Sequence, residues 1–431
     1  MKIVISYHNF IRDFRGSLLL KYVLEALGHK VWLAPHWNQD IELIALTEAD
    51  VVVGCQVAEK STSYLAEFAQ SAGIHLVLNS SEQFTTPDNL KTFVTYDGDK
   101  FNDDVISLQT IACEKLYQFI KSNDQLGSTD KYKYIGFPRY DISVDNRLRS
   151  VETKTLLGRY GLNGTKRRIL YLSSLLFEES FKDVPLEDME RFGYRKLLSR
   201  NREIGDFIAD TLSSIVRFCT EDVFIIKKHP WDFSTFLEER LSHPRIKFIN
   251  QSEYIVPCID ASDFVLHSFS TAAVEAWLMD KPTIAILPNE FRSGLNLSHM
   301  DHEVKSEGTP DTIALLNDYP QNGPSRYASR FLGGLADGKA TIRLAHEIHR
   351  LPAPSRKKFP SLSPIAYFRA RTRHWLNSYG LGFDNRMANN TRAERFLAWE
   401  KSRRYVAAAY APHFYEYVNR HHGYIMTVRH D

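Results

Sequence analysis

A group of polar residues follows directly on an apolar stretch in FIIKKHPWDFS, residues 224–234. The apolar residues predict the end of a buried strand, after which lysine, histidine, proline, tryptophan and aspartate come in succession. An imidazole beside a phosphate can stabilise or protonate a leaving phosphate, and Pro230 fixes the turn beside it. His229 is therefore predicted to act on a substrate that contains phosphate, with a purely structural histidine as the alternative.

A second group of polar residues, HSFSTAAVEAW, covers residues 267–277. It leads from a predicted buried strand into a predicted helix. The free N–H groups at a helix N-terminus favour an anion, so Ser268, Ser270 and Thr271 are expected to surround a phosphate. The alternative is that Ser270 is an ordinary N-cap, a role worth about 1 kcal/mol. Glu275, one turn after Thr271, is expected either to reach a ribose hydroxyl or to lie at the surface.

Further polar residues are predicted at the ends of neighbouring strands. Ser173 and Ser174 end the segment RRILYLSS, while Lys228 and His267 end two other segments of the same kind. The carboxyl ends of parallel strands meet at one edge of a sheet, where ligands bind. We expect these residues to contact the phosphate or ribose of a nucleotide. For the serines, the alternative is a tight turn between a strand and a helix that only small residues fit.

Two series of strands and helices are expected to position these residues. The strands are predicted at 2–8, 30–35, 49–56, 74–83 and 132–141 in the first series, and at 167–174, 222–230, 245–250, 262–270 and 281–288 in the second. Continuous apolar strands that alternate with amphipathic helices are typical of parallel β-α-β units. The predicted fold class is therefore α/β, with two Rossmann-like domains that face each other across a cleft, followed by C-terminal helices.

The domain bounds follow from this pattern. We predict an N-terminal Rossmann-like domain over 1–160, a second one over 161–345, and a helical tail over 346–431. Residues 351–431 contain 14 Lys and Arg against 5 Asp and Glu, together with many aromatic residues. Such a segment fits contact with anionic lipid head groups. The preferred prediction is nevertheless a solvated helical face on a tail that packs back on the N-terminal domain.

The composition argues against several classes of protein. The chain has 431 residues and a formal net charge of +2, which gives no case for binding nucleic acid. It lacks the GxGxxG, GxxxxGK[ST], CxxC and HExxH patterns, so a dinucleotide oxidoreductase or a P-loop NTPase is not expected. The four cysteines are scattered and no apolar run approaches the roughly 18 residues of a membrane span. A cytoplasmic location is predicted, with peripheral contact at the inner membrane as a further expectation.

The polar motifs together carry a resemblance to a known family. A His-Pro after one strand, and a Ser-x-Ser-Thr before a helix two strands later, are similar to the motifs of GT-B glycosyltransferases that use CMP-activated sugars, such as bacterial sialyltransferases and Kdo transferases. The segments YIGFPRYD, KKHPWDFS and HSFSTAAVEA more closely resemble the retaining β-Kdo glycosyltransferase modules of the WbbB type. In that family the module lies beside further glycosyltransferase modules of an O-antigen synthase. The resemblance covers most of the chain up to about residue 400.

The resemblance implies a role for each domain. The second domain would hold CMP-Kdo, with His229 and residues 268–271 at the CMP phosphate, and the first would hold an oligosaccharide acceptor of the O-antigen type. It also implies that neither a metal ion nor another cofactor takes part. The candidates for contact with the Kdo carboxylate or the acceptor are His8, Arg12, Asp13, Glu82, Arg195 and Lys228. For each of them, a surface or salt-bridged position is the alternative.

Retention at the anomeric carbon can be achieved by two successive inversions, which require a nucleophile on the protein. Asp232 lies three residues after His229 and is predicted to form a transient glycosyl ester with Kdo. Its alternative role is the N-cap of a helix predicted over 233–240. The alternative functions are another GT-B enzyme with a CMP or CDP donor, namely a sialyltransferase or a CDP-polyol phosphotransferase, and a non-catalytic module that binds glycans or sugar nucleotides.

Overall fold

The computed structural model describes residues 1–7, 9–35, 39–54, 60–79, 95–96, 99–100, 105–122, 130–165, 167–182, 189, 194–292, 303–320, 323–354, 359 and 403–427. The chain forms two compact units, Met1–Leu148 with Leu332–Asp431, and Arg149–Phe331.

Each unit contains one parallel sheet. The strands are β1 Lys2–Tyr7, β2 Lys30–Pro35, β3 Val51–Gly54, β4 His75–Leu78, β5 Thr95–Tyr96, β6 Asp99–Lys100, β7 Ile106–Ile111, β8 Tyr132–Tyr134, β9 Arg167–Leu172, β10 Asp222–Lys227, β11 Ile246–Ile249, β12 Phe264–His267, β13 Thr283–Ile286 and β14 Val304–Ser306. The six-stranded sheets have the orders β2-β1-β3-β4-β7-β8 and β11-β10-β9-β12-β13-β14, and β5 pairs with β6 alone. These two sheets confirm the predicted pair of Rossmann-like domains.

Helices connect the strands of both sheets. They are α1 Phe10–Ala26, α2 Gln39–Thr47, α3 Lys60–Ala72, α4 Glu114–Lys121, α5 Pro138–Val144, α6 Asn146–Arg149, α7 Thr153–Arg159, α8 Tyr194–Phe218, α9 Phe236–Arg240, α10 Ile255–Asp260, α11 Ala273–Leu278, α12 Asn289–Arg292, α13 Thr309–Asn317, α14 Gly323–Leu332, α15 Ala340–His349, α16 Arg403–Arg420 and α17 His422–Met426. Short 3₁₀ segments occur at Glu178–Phe181 and Gly333–Leu335.

The bounds of the units differ from those predicted at residues 160 and 345. The helix α7 belongs to the second unit because its first residue, Thr153, donates a hydrogen bond to Asp260 at 2.8 Å. Arg149 forms an ion pair with the same carboxylate at 3.1 Å. At the other boundary, α15 belongs to the first unit, where it packs against α1 and α5. The chain therefore enters and leaves the second unit earlier than the strand pattern indicates.

Within the two six-stranded sheets, the strand predictions miss two strands and extend a third too far. The sequence prediction lacks β7, whose apolar run is interrupted by Gln109 and Thr110, although both residues are buried in the sheet. It also lacks β14, which is only three residues long. The strand predicted over 132–141 ends at Tyr134, because Pro138 begins α5, a position where proline is favoured since it needs no hydrogen-bond partner for an N–H group.

The described part of the tail packs on the first unit. Tyr410 and Phe414 of α16 are fully buried, and the Phe414 ring lies 5.7 Å from that of Tyr22 in α1. Arg420 forms an ion pair with Asp145 at 2.6 Å, so part of the positive charge of the tail is used within the unit. Across the described ranges, no helix combines the length and the apolar character needed to cross a membrane.

The buried carboxylate of Asp141 joins the helices of the first unit. It accepts hydrogen bonds from the backbone N–H groups of Ala340 at 3.0 Å and Thr341 at 2.7 Å. These groups belong to the first turn of α15, where N–H groups lack partners within the helix, and its N-cap residue makes no side-chain cap. Tyr417 of α16 donates to Gly338 at 2.6 Å and lies 3.5 Å from Asp141. Burial raises the pKa of Asp141 to about 6, against the opposing effect of these hydrogen bonds.

We expect the stability of the first unit to fall as Asp141 ionises. A carboxyl group with a raised pKa contributes stability that is fully present below about pH 4, the pKa of an unfolded aspartate, and is lost as the pH rises through the folded pKa. Urea unfolding at pH 4 to 7 should show that the wild type loses about 3 kcal/mol relative to Asp141→Asn over this range. Asp145→Asn, which alters the ion pair with Arg420, is the matched control. A difference between wild type and Asp141→Asn that stays constant with pH would contradict this assignment.

Candidate active site

The central strands of the second sheet bring three chain segments to one edge. In the parallel pairing, Leu172 at the end of β9 lies level with Lys227 of β10 and with His267 of β12. The N–H group of Ser173 then donates to the carbonyl of Lys227 at 3.0 Å. The residues that follow these strands, from Ser173, Lys228 and Ser268 onward, therefore leave the sheet side by side. This arrangement was predicted from the strand ends.

The turn after β10 fixes the orientation of His229. Its Nδ1 atom accepts a hydrogen bond from the backbone N–H of Trp231 at 3.1 Å. A neutral imidazole that accepts at Nδ1 carries its proton on Nε2, so Nε2 is the donor atom of this tautomer. The side chain is half-buried. His229 therefore has the tautomer and the partial exposure that a donor to phosphate requires.

Asp232 lies in the same turn and has no exposed surface. Its Oδ1 atom accepts from the backbone N–H of Ser234 at 3.1 Å and from the Ser234 hydroxyl at 2.7 Å. Among the described residues, its buried Oδ2 atom accepts no hydrogen bond. Burial raises the pKa of this carboxyl, although Ser234 and the charge of Lys228 act in the opposite direction. The helix predicted over 233–240 begins only at Phe236 with Thr235 as its N-cap, so Asp232 is not a helix cap.

The two lysines of the turn are both engaged within the protein. Lys228 is almost buried, its Nζ atom lies 2.6 Å from Glu238, and it also donates to the carbonyl of Ser234. Lys227 is buried and donates to the carbonyl of Gln251 at 2.9 Å, and burial lowers its pKa to about 8. Lys228 therefore holds the turn in place, in addition to any contact with a ligand.

The three hydroxyl residues after β12 differ in exposure. The hydroxyl of Ser268 has no exposed surface and shares a hydrogen bond with Tyr171 at 2.9 Å, which disfavours the predicted contact with a phosphate. Ser270 is half-buried, and its hydroxyl accepts from the N–H of Ala272 at 3.3 Å. Thr271 is also half-buried. Ser270 and Thr271 are thus the hydroxyl residues of this segment that a ligand can approach.

The imidazole of His267 is completely buried and does not reach the site directly. Its Nδ1 atom accepts from the backbone N–H of Ser270 at 3.2 Å, and its Nε2 atom donates to Glu303 at 2.9 Å. Both side chains have no exposed surface. His267 was predicted to bind the substrate, but this geometry makes it a support for the backbone at Ser270. No sequence pattern indicates Glu303, which precedes β14 and lies 36 residues from His267 in the chain.

The other residues of the second unit that were predicted to contact a ligand differ in their exposure. Ser173 is buried and its hydroxyl accepts from the N–H of Leu175 at 3.2 Å, as in an ordinary turn, whereas Ser174 is half-buried. Glu275 is buried in α11 rather than at the surface. Arg195 belongs to α8, but its side chain lies outside the described residues.

The residues predicted in the first unit form a helix cap. Asn9 is the N-cap of α1 and accepts from the N–H groups of Ile11 and Arg12. In return, the N–H of Asn9 donates to Asp13 at 2.9 Å, and Arg12 binds both oxygens of Asp13 at 2.8 and 3.0 Å. Arg12 and Asp13 therefore stabilise the start of α1. The predicted residues His8 and Glu82 lie outside the described residues.

A small crevice lies beside this cap, at the carboxyl ends of β1 and β3. In this sheet, β2 lies on one side of β1 and β3 lies on the other. The strand order therefore reverses at β1, and a crevice forms at such a point. Its polar lining residues are Ser6, Asp13, Ser17, Asn79 and Arg139. Within the described part of the chain, no group of three or more His, Cys, Asp and Glu side chains could hold a metal ion.

We expect Glu303 to determine the stability of the segment after β12. Glu303→Leu leaves the buried Nε2–H of His267 without its acceptor, which should cost about 1–3 kcal/mol, whereas Glu303→Gln keeps an amide oxygen at the same place and should cost less. Thermal unfolding compares the two variants. Glu307→Gln, at an exposed ion pair with Arg292, serves as the control. Equal midpoints for Glu303→Leu and the wild type would refute this role.

Comparison with known proteins identifies the fold. No family model matches the sequence, and no curated protein is significantly similar to it. The wall teichoic acid polymerase TagF has a TM-score of 0.53 at 12% identity, over 81% of this chain and 88% of that chain. The S. aureus MnaA–UDP co-structure has 0.51 at 13% identity, over 80% and 95%.

A third similar structure is the UDP-GlcNAc 2-epimerase from Neisseria meningitidis bound to UDP-GlcNAc, with a TM-score of 0.52 at 11% identity, over 81% of this chain and 100% of that chain. TagF has also been solved after a soak with CDPG, and that structure has a TM-score of 0.52. At these identities the likeness concerns the fold. The chain has the GT-B fold, with two Rossmann-like domains.

Proposed function

We propose that the chain is a retaining β-Kdo transferase that moves Kdo from CMP-Kdo onto a bacterial surface glycan of the O-antigen type. The observation that carries the proposal is the turn after β10, where one strand end holds the half-buried His229 and the buried carboxylate of Asp232. The GT-B fold supports a substrate that contains a nucleotide, because solved structures of this fold were obtained with UDP, UDP-GlcNAc and CDPG. The identity of the sugar comes from the resemblance of the motifs to the Kdo transferase family.

In this proposal, the CMP portion of the donor binds at the edge formed by β9, β10 and β12. The Nε2–H of His229 donates to the phosphate, and the hydroxyls of Ser270 and Thr271 bind its other oxygens. Ser174 and Glu275 remain candidates for contact with the ribose. We propose that transfer needs no metal ion, because the imidazole and these hydroxyls stabilise the charge of the departing phosphate.

The transfer has two steps. First, Oδ2 of Asp232 attacks the anomeric carbon of Kdo, and the bond from this carbon to the phosphate oxygen breaks with its electron pair leaving on CMP. Then a hydroxyl of the acceptor attacks the same carbon from the opposite side, gives its proton to a phosphate oxygen of the departed CMP and releases the Asp232 carboxylate. Since Asp232 has no exposed surface, binding of the donor has to uncover Oδ2 before the first step.

The first unit is proposed to hold the acceptor glycan, at the crevice beside β1 and β3. Arg12, Lys228 and Arg195 remain the candidates for the Kdo carboxylate. Arg12 already pairs with Asp13, so a sugar carboxylate would have to compete for it. We also propose that the basic tail contacts the inner membrane. Arg420, in the described part of the tail, forms an ion pair with Asp145 of the same unit, so its charge is already partly used.

A second candidate function is transfer from a CDP-polyol. It is favoured by the similarity in fold to TagF, which was solved with CDPG. A non-catalytic binding module is the remaining alternative, and it has no need of a buried ionisable residue such as Asp232 beside the nucleotide. Release of CMP from CMP-Kdo, from CMP-sialic acid and from CDP-glycerol separates these candidates in one assay.

The nucleophile is tested with CMP-Kdo and a mixture of bacterial oligosaccharides. Asp232→Asn should abolish turnover while CMP affinity persists and the protein remains folded, because the amide is a poor nucleophile with nearly the same shape. Intact-mass analysis of the wild type with CMP-Kdo should show one added Kdo on a peptide that contains Asp232. Near-normal turnover by Asp232→Asn would refute double displacement.

The phosphate contacts are tested by calorimetry with CMP. Ser270→Ala and Thr271→Val should each weaken binding about tenfold or more, because a hydrogen bond to a charged group contributes about 1.5–3 kcal/mol. Ser268→Ala is the matched comparison, since that hydroxyl is already bonded to Tyr171, and it should lower stability with little change in affinity. Unchanged affinity in both of the first two variants would leave Ser270 as a simple turn residue.

A further inference from the structure

Ser234 holds the Asp232 carboxylate in one orientation. Its backbone N–H and its hydroxyl both donate to the same oxygen, Oδ1, at 3.1 and 2.7 Å. Aspartate often bonds to the N–H group two residues further on, but the hydroxyl adds a second bond that a simple turn does not need. Ser234 itself is almost completely buried, so water competes poorly for these bonds.

The two oxygens of Asp232 are therefore not equivalent. Oδ1 accepts two hydrogen bonds, whereas Oδ2 accepts none from the described residues and is buried. Rotation of the carboxylate about its Cβ–Cγ bond would exchange the oxygens and break both bonds to Ser234. These two bonds therefore restrain the rotation. Oδ2 keeps one orientation, and its lone pairs accept no hydrogen bond from the described residues.

Ser234 is in turn held by a charged pair. Its carbonyl accepts from the ammonium group of Lys228, and Lys228 is paired with Glu238 of α9 at 2.6 Å. A continuous series of polar contacts thus runs from α9 through Lys228 and Ser234 to Asp232. Because Lys228 follows β10 directly, the series ties the carboxylate to both the sheet and the next helix.

We propose that Ser234 is a positioning residue that presents Oδ2 of Asp232 as the attacking oxygen, by holding Oδ1 with two hydrogen bonds. This inference rests on the proposed role of Asp232 as the nucleophile. An oxygen without a hydrogen bond has none to break as it attacks, while the bonds to Oδ1 favour the ionised form of the carboxyl group against the effect of burial. Lys228 and Glu238 contribute by fixing Ser234.

The test compares Ser234→Ala and Ser234→Thr with Ser180→Ala. The Ser180 hydroxyl accepts from the N–H of Phe233 at 3.4 Å, so it touches the same turn without contacting Asp232, and its variant is the control. The protein is labelled with ¹³C at the aspartate carboxyls, and the Asp232 signal is assigned by its loss in Asp232→Asn. In Ser234→Ala, the titration of this signal should move up by about one pH unit or more, since one bond to the charged form is lost.

The kinetic arm uses CMP-Kdo. In Ser234→Ala, kcat should fall about tenfold or more with the donor KM nearly unchanged, and the acid limb of the pH profile should move up with the NMR titration. Ser234→Thr, which keeps the hydroxyl, should restore both, and Ser180→Ala should leave both unchanged. A purely structural serine would lower the unfolding midpoint without moving the acid limb. If Ser234→Ala does not fold, Ser234→Cys, a poorer donor of similar size, takes its place.

The outcomes separate this inference from the proposed function. If Asp232→Asn is inactive but the titration and kcat of Ser234→Ala match the wild type, the positioning role is refuted and the nucleophile stands. If the wild type does not use CMP-Kdo, or Asp232→Asn stays active, the proposed function is refuted. The role of Ser234 in presenting Oδ2 of Asp232 for attack is then refuted as well. The NMR titration then still decides whether Ser234 controls the ionisation of the carboxylate.

Discussion

The parallel pairing of β9 with both β10 and β12 is the constraint on which the candidate site depends. Leu172 lies level with Lys227 on one side and His267 on the other, so all three strands end at the same height. Backbone hydrogen bonds therefore bring the following segments together, before any of their side chains interact. The turn of His229 and Asp232 and the segment of Ser270 and Thr271 keep their spacing because the sheet keeps its register.

The sequence predicted the strand ends well, but it could not tell which of their side chains are accessible. A parallel strand in the middle of a sheet is covered on both faces, so the apolar pattern looks the same whichever way the next polar residue points. In the structure, His267 and Ser268 are fully buried, whereas Ser270 and Thr271 are half-buried. The sequence pattern did not distinguish these two pairs. The same limitation hid β7, where buried polar residues interrupt the apolar run.

Distance along the chain decided which partners could be found. The bonds between Asp232 and Ser234 span two residues, and those between Asn9 and Asp13 span four, so both follow local patterns that a sequence reveals. An Asx-type turn and a helix cap were thus within reach of the sequence, although the predicted role for Asp13 was different. Glu303 is 36 residues from His267, and Asp141 is 199 residues from Ala340. Contacts of this kind depend on the packing of whole elements.

The charge of Asp232 is the part of the site that folding does not require. Asparagine or serine could accept the same bond from the N–H of Ser234 without placing a carboxylate in a buried position. A buried polar atom without a partner costs about 1–3 kcal/mol, and burial raises the pKa of this carboxyl despite Ser234 and Lys228. A raised pKa means that the stability contributed by Asp232 is lost as the pH rises through that pKa. The turn thus keeps a carboxylate that weakens the fold when ionised. It lies in the same turn as His229, whose Nδ1 is bonded to the N–H of Trp231 and whose proton is on the other ring nitrogen. A carboxylate that is kept at a cost in stability supports a chemical role for Asp232.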